Sequence, residues 1–196
     1  NATACQGFNP GTLTASGSGG TGSTSYQWQL NGSNISGATS STYDPPVLNT
    51  PGTYSYTVVY NRGGSSCDAA TSSPRVYTID ATPVITNNAA SLCEGESKTL
   101  TTDIDPNVTW AVSPSCAGCL SGNVFTAPNP GSASANYTLT ASNNSNGACS
   151  SFFVQTVYDD ITANAGLDQE QCSNNTFNVN ANNPSPGSGN WTVISG

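Results

Sequence analysis

Apolar and polar residues alternate with a period of two in several segments, which is typical of β-strands with one face against a core. Residues 26–30 and 53–60 show this alternation early in the chain, and residues 135–141 and 152–158 show it later. Asn31-Gly32 directly follows the first run and is a strong signal for a two-residue hairpin turn. No segment has the 3.6-residue period of an amphipathic helix, so we predict an all-β fold.

A cysteine followed by a tryptophan recurs three times, and the cysteines are 88 and then 79 residues apart. The three segments run from Cys5 to Trp28, from Cys93 to Trp110 and from Cys172 to Trp191. A cysteine that opens one strand and a tryptophan centred in the next are typical of an immunoglobulin-like sandwich. We therefore predict tandem immunoglobulin-like β-sandwich domains, the last one incomplete, with the three tryptophans in their cores.

Composition shifts and prolines divide the chain into three predicted domains. Residues 1–80 form a sandwich that lacks most of strand A, because Cys5 is read as the start of strand B. Residues 81–160 form a second sandwich, and the boundary at Asp80-Ala81-Thr82-Pro83 follows from a proline that cannot donate to a strand ladder. Residues 161–196 are the first half of a third repeat, so we expect the natural chain to continue beyond Gly196.

The charge pattern excludes several classes of function. Only 7% of residues are charged, the net charge is −8, and the basic residues are Arg62, Arg75 and Lys98. Such a chain has no basic surface to follow nucleic-acid phosphates, and no apolar run reaches the roughly 18 residues that span a bilayer. With no histidine there is no imidazole base, and the carboxylates are scattered. We therefore expect no enzyme activity and no catalytic residue.

Seven cysteines without a histidine, and with one CxxC pair, favour disulfides over zinc sites. Disulfides persist in oxidising compartments, which predicts an extracellular or cell-surface location. Positions that match between the repeats predict two pairs, Cys5–Cys67 and Cys93–Cys149, each closing a loop of about 60 residues. Cys116 and Cys119 are expected to form a local disulfide, which leaves Cys172 unpaired within this chain.

Aspartates near the predicted domain junctions are the candidate metal ligands, since calcium prefers oxygen ligands. They are Asp80, Asp159, Asp160 and Asp168. Because they show no repeated ligand spacing, we expect weak or no dependence of stability on calcium. We expect no other cofactor.

Short motifs in all three domains resemble the tandem immunoglobulin/PKD-like repeats of giant surface adhesins from gliding Bacteroidetes. These motifs are Tyr26-Gln27-Trp28-Gln29, Ile35-Ser36-Gly37-Ala38-Thr39, Gly52-Thr53-Tyr54, Leu92-Cys93-Glu94-Gly95-Glu96 and Asn190-Trp191-Thr192-Val193-Ile194-Ser195-Gly196. The resemblance implies secretion through the type IX route and display at the outer surface. The Cys116-Ala117-Gly118-Cys119 segment lies outside the pattern.

Three functions are compatible with these features. The first is a structural stalk or adhesive repeat segment, whose partners are neighbouring repeats of the same chain and glycans or other surface proteins. The second is a subunit of an extracellular filament, in which copies of the chain complete each other's sandwiches with strands. The third is a carbohydrate-binding accessory module, for which Tyr43 and Tyr60 are the candidate exposed aromatics.

Overall fold

The computed structural model describes residues 1–19, 22–63, 69–88, 91–145 and 149–160. These residues form fifteen β-strands and no helix, which confirms the all-β prediction. The described part of the chain therefore contains no helix able to cross a lipid bilayer. The predicted third repeat, with Cys172, Asp168 and Trp191, lies outside the described residues.

Two compact units make up the described chain. Unit 1 contains Asn1–Val84 together with Asp103–Thr109 and Ala141–Ser151. Unit 2 contains Ile85–Thr102, Trp110–Thr140 and the described residues after Ser151. Each is an immunoglobulin-like sandwich, in which two sheets enclose a core.

The first eight strands build the two sheets of unit 1. They are β1 Ala2–Cys5, β2 Leu13–Thr14, β3 Thr24–Leu30, β4 Ser33–Asn34, β5 Thr42–Tyr43, β6 Gly52–Arg62, β7 Ala70–Thr71 and β8 Arg75–Asp80. One sheet has the order β1-β8-β6-β3-β4, with β7 also paired to β6, and the other consists of β2 and β5. The predicted hairpin turn joins β3 to β4, where Asn31 and Gly32 have φ of 49° and 81°.

The core of unit 1 is a row of aromatic rings. Neighbouring rings lie with their centroids 5.5–6.1 Å apart, in the order Trp28, Tyr43, Tyr56, Tyr77 and Phe8. Trp28 is 4% exposed, and its indole Nε1 donates to the Ser40 carbonyl at 3.0 Å. Aromatic contacts of this kind add to the stability that burial alone provides. They occupy the centre of the sandwich, where antibody domains have a disulfide.

The other seven strands follow from residue 92 onward. They are β9 Leu92–Cys93, β10 Ser97–Thr99, β11 Val108–Ser113, β12 Leu120–Ser121, β13 Val124–Thr126, β14 Ser134–Asn143 and β15 Ser150–Tyr158. Their sheets have the orders β11-β14-β15-β9 and β10-β13-β12.

The core of unit 2 mixes aliphatic and aromatic side chains, with Leu100, Leu139 and Phe125 fully buried, and Trp110 is half-buried against it. The only lysine of the chain, Lys98, lies over the Phe153 ring at 5.2 Å from its centroid. Burial lowers the pKa of this amine.

The position of strand A differs from the prediction. Cys5 does not open strand B. It ends β1, which pairs in parallel with the closing strand β8, so that Cys5 lies opposite Asp80. Cys93 likewise ends β9, which is parallel to β15, and lies opposite Tyr158. Each of these short strands uses an edge of the closing strand that would otherwise be unpaired.

Tyr56 makes the stability of unit 1 vary with pH in the alkaline range. Its side chain is 2% exposed, and burial, followed by the nearby Tyr43, Tyr54 and Tyr77, raises its pKa from 10.0 to about 12. The unfolded chain loses this proton first, so the contribution is complete below pH 10 and is lost as pH rises toward 12. We predict that the free energy of unfolding falls by about 2–3 kcal/mol more in the native chain than in Tyr56→Phe across this window. Urea melts at pH 9, 10, 11 and 12 measure the difference, and parallel curves for the two proteins would contradict it.

Candidate functional site: the enclosed linker beside Cys5–Cys149

The segment Asp80–Val84, which begins at the last residue of β8, is held by hydrogen bonds from other segments of unit 1, and we call it the enclosed linker. Its last residue, Val84, is 59% exposed. Pro83 is fully buried. The N–H of Val84 donates to Asp103 Oδ1 at 2.8 Å, and the Asp103 N–H donates back to the Val84 carbonyl at 3.1 Å. Proline restricts its own φ and the conformation of the residue before it. The linker is therefore held by sequence, by burial and by a reciprocal pair of hydrogen bonds.

Gln6 fixes the start of the linker with three hydrogen bonds. Its backbone N–H donates to the Asp80 carbonyl at 3.2 Å. Its side-chain oxygen accepts from the Thr82 N–H at 2.9 Å, and its side-chain nitrogen donates to the Asn49 carbonyl at 2.8 Å. One side chain therefore ties the linker to two other parts of unit 1.

Asn143 holds the linker from the other side. It is 5% exposed, and its Nδ2 donates to the Ala81 carbonyl at 2.7 Å. Its Oδ1 accepts from the Ser145 N–H at 2.9 Å, and its own N–H donates to the Cys149 carbonyl at 2.9 Å. These bonds satisfy a buried amide at the end of β14 and fix the segment that leads to Cys149.

A disulfide between Cys5 and Cys149 closes this site. The two Cα atoms are 5.4 Å apart, within the usual range for a disulfide, and Cys149 is 1% exposed. The predicted pairings Cys5–Cys67 and Cys93–Cys149 are therefore wrong for Cys5 and Cys149, which bond to each other. Cys67 lies outside the described residues.

Strand geometry explains why Cys93 cannot reach Cys149. Cys93 lies opposite Tyr158 at the end of β15, whereas Cys149 immediately precedes the first residue of the same strand. Nine residues of extended chain separate those two ends, or about 30 Å. Disulfides require Cα atoms no more than about 7 Å apart. The prediction failed because it placed the first cysteine of each pair in strand B.

A second disulfide joins Cys116 to Cys119, whose Cα atoms are 5.6 Å apart. Cys119 is 4% exposed and belongs to the buried core of unit 2, against which Cys116 and Trp110 also pack. A cysteine pair in the core of a β-sandwich lacks the helix N-terminus that lowers a thiol pKa in redox proteins. The arrangement is that of a local structural bridge.

The candidate calcium ligands are not part of any metal-binding group in the described residues. No three Cys, Asp or Glu side chains lie together there in a way that could hold a metal ion. Asp80 has one buried oxygen, Oδ2, without a hydrogen-bond partner among the described residues. Asp159 and Asp160 follow β15, and Asp168 lies outside the described residues. The calcium response of this protein stays a prediction.

The candidate sugar-binding tyrosines are half-buried and packed against other rings. Tyr43 is part of the aromatic row of unit 1, and Tyr60 lies 5.5 Å from the Tyr26 ring. Gly17 lies so close to Tyr60 that an added Cβ would come within 2.6 Å of its ring. An open depression of about 270 Å³ is lined by residues 36–40 and 42–44, including Tyr43 and Asp44. Neither tyrosine forms the flat, open platform that stacking on a sugar requires.

The enclosed linker was not predicted from the sequence. The proline indicated that the strand ends before it, and β8 ends at Asp80. No sequence pattern indicated that Gln6, Asp103 and Asn143 would contact this segment. Such residues are common in exposed turns, and the roles of Gln6 and Asn143 here depend on contacts between residues more than 60 positions apart.

One family model matches part of the chain. A family model described as a domain of unknown function (DUF8696) matches residues 1–81. No curated protein matches the sequence.

Several solved structures match the chain at low identity. The insect immune protein hemolin is 16% identical, with a TM-score of 0.45, and the match covers 81% of this chain and 44% of hemolin. An amphioxus IgVJ-C2 molecule is 16% identical, with a TM-score of 0.42, and covers 80% of this chain and 99% of its own. The fibronectin(III)-like modules of Clostridium thermocellum CbhA are 10% identical, with a TM-score of 0.33, and cover 81% and 88%.

Removal of the Cys5–Cys149 disulfide should destabilise unit 1. The two cysteines are 144 residues apart, and a loop of that length corresponds to about 5 kcal/mol in the chain-entropy model. We expect the double variant Cys5→Ser/Cys149→Ser to lose about 2–5 kcal/mol in urea melts. The matched control is Cys116→Ser/Cys119→Ser, which removes a bond between residues that are only three positions apart. Its free energy of unfolding should fall by about 2 kcal/mol. Equal losses in the two variants would show that chain closure is not the source of the stability.

The amide of Asn143 should matter more than that of an exposed asparagine. Asn143→Ala leaves the partly buried Ala81 carbonyl without its donor, which costs about 1–3 kcal/mol. Asn9 is the control, because it is exposed and caps a local turn through Gly11. We expect Asn9→Ala to change the free energy of unfolding by less than about 0.5 kcal/mol. A loss for Asn143→Ala as small as that for Asn9→Ala would contradict the role assigned to this amide.

Proposed function

We propose that this chain is a mechanical stalk or adhesive repeat segment of a large secreted or cell-surface protein. The observation that carries the proposal is the enclosed linker: a boundary between repeats in which the proline is buried, the backbone groups are hydrogen-bonded and a disulfide spans the segment. Boundaries between domains are usually exposed and flexible. We expect a segment held in this way to resist proteolysis, and we expect the disulfide to shield it from extension.

The disulfides support an extracellular location, because cytosolic reductants keep thiols reduced. The low charge and the abundance of small polar residues suit a passive structural role better than catalysis. The proposal includes no enzyme activity. The partners it names are neighbouring repeats of the same chain, with glycans or other surface proteins as adhesive targets.

The finer assignment rests on the sequence motifs. We infer a relation to the tandem repeats of Bacteroidetes surface adhesins, with type IX secretion, from the short motifs quoted above. The domain boundaries at residues 80 and 160 belong to the same proposal. The match of a family model to residues 1–81 supports the first of them.

Single-molecule pulling from both ends of the chain tests the mechanical role. In the oxidised chain, the Cys5–Cys149 disulfide shields the 144-residue separation between the two cysteines from extension. Addition of a reductant should release about 500 Å of further contour length, at about 3.5 Å per residue. The Cys5→Ser/Cys149→Ser variant is the control and should release this length without reductant.

Two results would contradict the proposal. An oxidised chain that extends to its full contour length would show that the disulfide does not shield the linker from the applied force. Specific retention of the chain on a glycan array, lost in Tyr43→Ala but not in Tyr158→Ala, would instead support the carbohydrate-binding alternative.

A further inference from the structure

Cys93 occupies the same structural position in unit 2 that Cys5 occupies in unit 1. Each cysteine is the last residue of a short strand that runs parallel to the closing strand of its sheet. Each is followed two residues later by a glycine with positive φ, 88° at Gly7 and 80° at Gly95. The chain therefore turns away from the closing strand in the same manner after both cysteines.

The backbone hydrogen bonds after the two cysteines also match. The residue after the cysteine donates to the closing strand: Gln6 N–H to the Asp80 carbonyl at 3.2 Å, and Glu94 N–H to the Tyr158 carbonyl at 2.9 Å.

The glycine that follows in each repeat donates its N–H to a third segment. The residue after that glycine accepts a hydrogen bond from the same segment through its carbonyl. Gly7 donates to Leu48 and Leu48 donates back to Phe8, at 2.9 and 2.8 Å. Gly95 donates to Ala127 and Ala127 donates back to Glu96, also at 2.9 and 2.8 Å. Three equivalent bonds fix both cysteines in equivalent backbone environments.

The two cysteines differ in their bonding. Cys5 is bonded to Cys149, the residue immediately before the closing strand β15 of the next repeat in the chain. Cys93 is exposed and is the free cysteine among the described residues. Its thiol cannot use Cys116, Cys119 or Cys149, because these are already bonded.

We propose that Cys93 is the site of an inter-repeat disulfide, with the cysteine that precedes the closing strand of the immunoglobulin-like repeat following the second. The proposal rests on the proposed function as a repeat segment, and it names that segment's covalent partner. The Cys5–Cys149 bond is the precedent: the cysteine that ends the first strand of one repeat bonds the cysteine before the closing strand of the next. Repetition of this rule gives one disulfide at each boundary.

The bond forms by oxidation of two thiols. A disulfide of an oxidoreductase is the oxidant: the Cys93 thiolate attacks one of its sulfurs, and the partner thiolate then displaces the oxidoreductase from the mixed disulfide. One S–S bond forms, two protons leave the thiols, and the oxidoreductase disulfide is reduced to a dithiol. An exposed thiol such as Cys93 meets the requirement for access in this exchange.

Peptide mapping of the natural protein, secreted and collected in the presence of an alkylating agent without reductant, tests the assignment. We expect the peptide that contains Cys93 to be linked to a peptide in which the cysteine lies directly before a closing strand, and not to be alkylated. The Cys93→Ser variant should expose one new alkylated cysteine, and that cysteine should be the same partner. Recovery of alkylated Cys93, or its linkage to Cys67, to Cys172 or to Cys93 of a second copy, would overturn the proposal.

The same digest separates this proposal from the proposed function. If the Cys5–Cys149 link is recovered while Cys93 is alkylated, the inter-repeat bond at Cys93 is refuted and the stalk segment stands. If the Cys5–Cys149 link itself is absent, both the precedent and the shielding of the linker by that disulfide are refuted.

Discussion

The enclosed linker depends on the covalent bond between Cys5 and Cys149, because that bond holds together two segments that are 144 residues apart in sequence. Gln6 is the residue after one of these cysteines, and Asn143 donates its N–H to the carbonyl of the other. The hydrogen bonds to Thr82 and Ala81 therefore come from segments whose positions the disulfide fixes. Without it, each of those bonds would have to offset the entropy of ordering its own segment.

The small cores explain why such a covalent restraint matters here. With 35% hydrophobic residues and 7% charged residues, neither apolar burial nor ion pairing can supply a large surplus of stability. Unit 1 relies on its aromatic row, and unit 2 relies on a few fully buried aliphatic side chains and the Cys116–Cys119 bridge. Small β-sandwiches in oxidising environments commonly obtain the remaining stability from disulfides.

The sequence predicted those features that depend on short segments. The strands β3, β6, β14 and β15 follow from alternation, and the turn at Asn31-Gly32 follows from residues that tolerate positive φ. The short strands β1 and β9 escaped prediction because four or two residues carry no periodic signal. The cysteine partners depended on these strands, since the register of Cys5 with Asp80 decides which end of the sheet the sulfur occupies. The strands could therefore be predicted from local sequence patterns. The disulfide pairing could not, because it depends on how the strands are aligned with one another.

The length of the Cys5–Cys149 loop has a consequence for biosynthesis. At about 5–20 residues per second, Cys149 is made roughly 7–30 seconds after Cys5. Four other cysteines, Cys67, Cys93, Cys116 and Cys119, are made during that interval, so five cysteines exist before the correct partner of Cys5 does. The thiol of Cys5 must stay reduced, or exchange its first partner, until most of the second repeat has been synthesised. The native connectivity of this chain therefore requires either late oxidation or exchange of disulfides that form early.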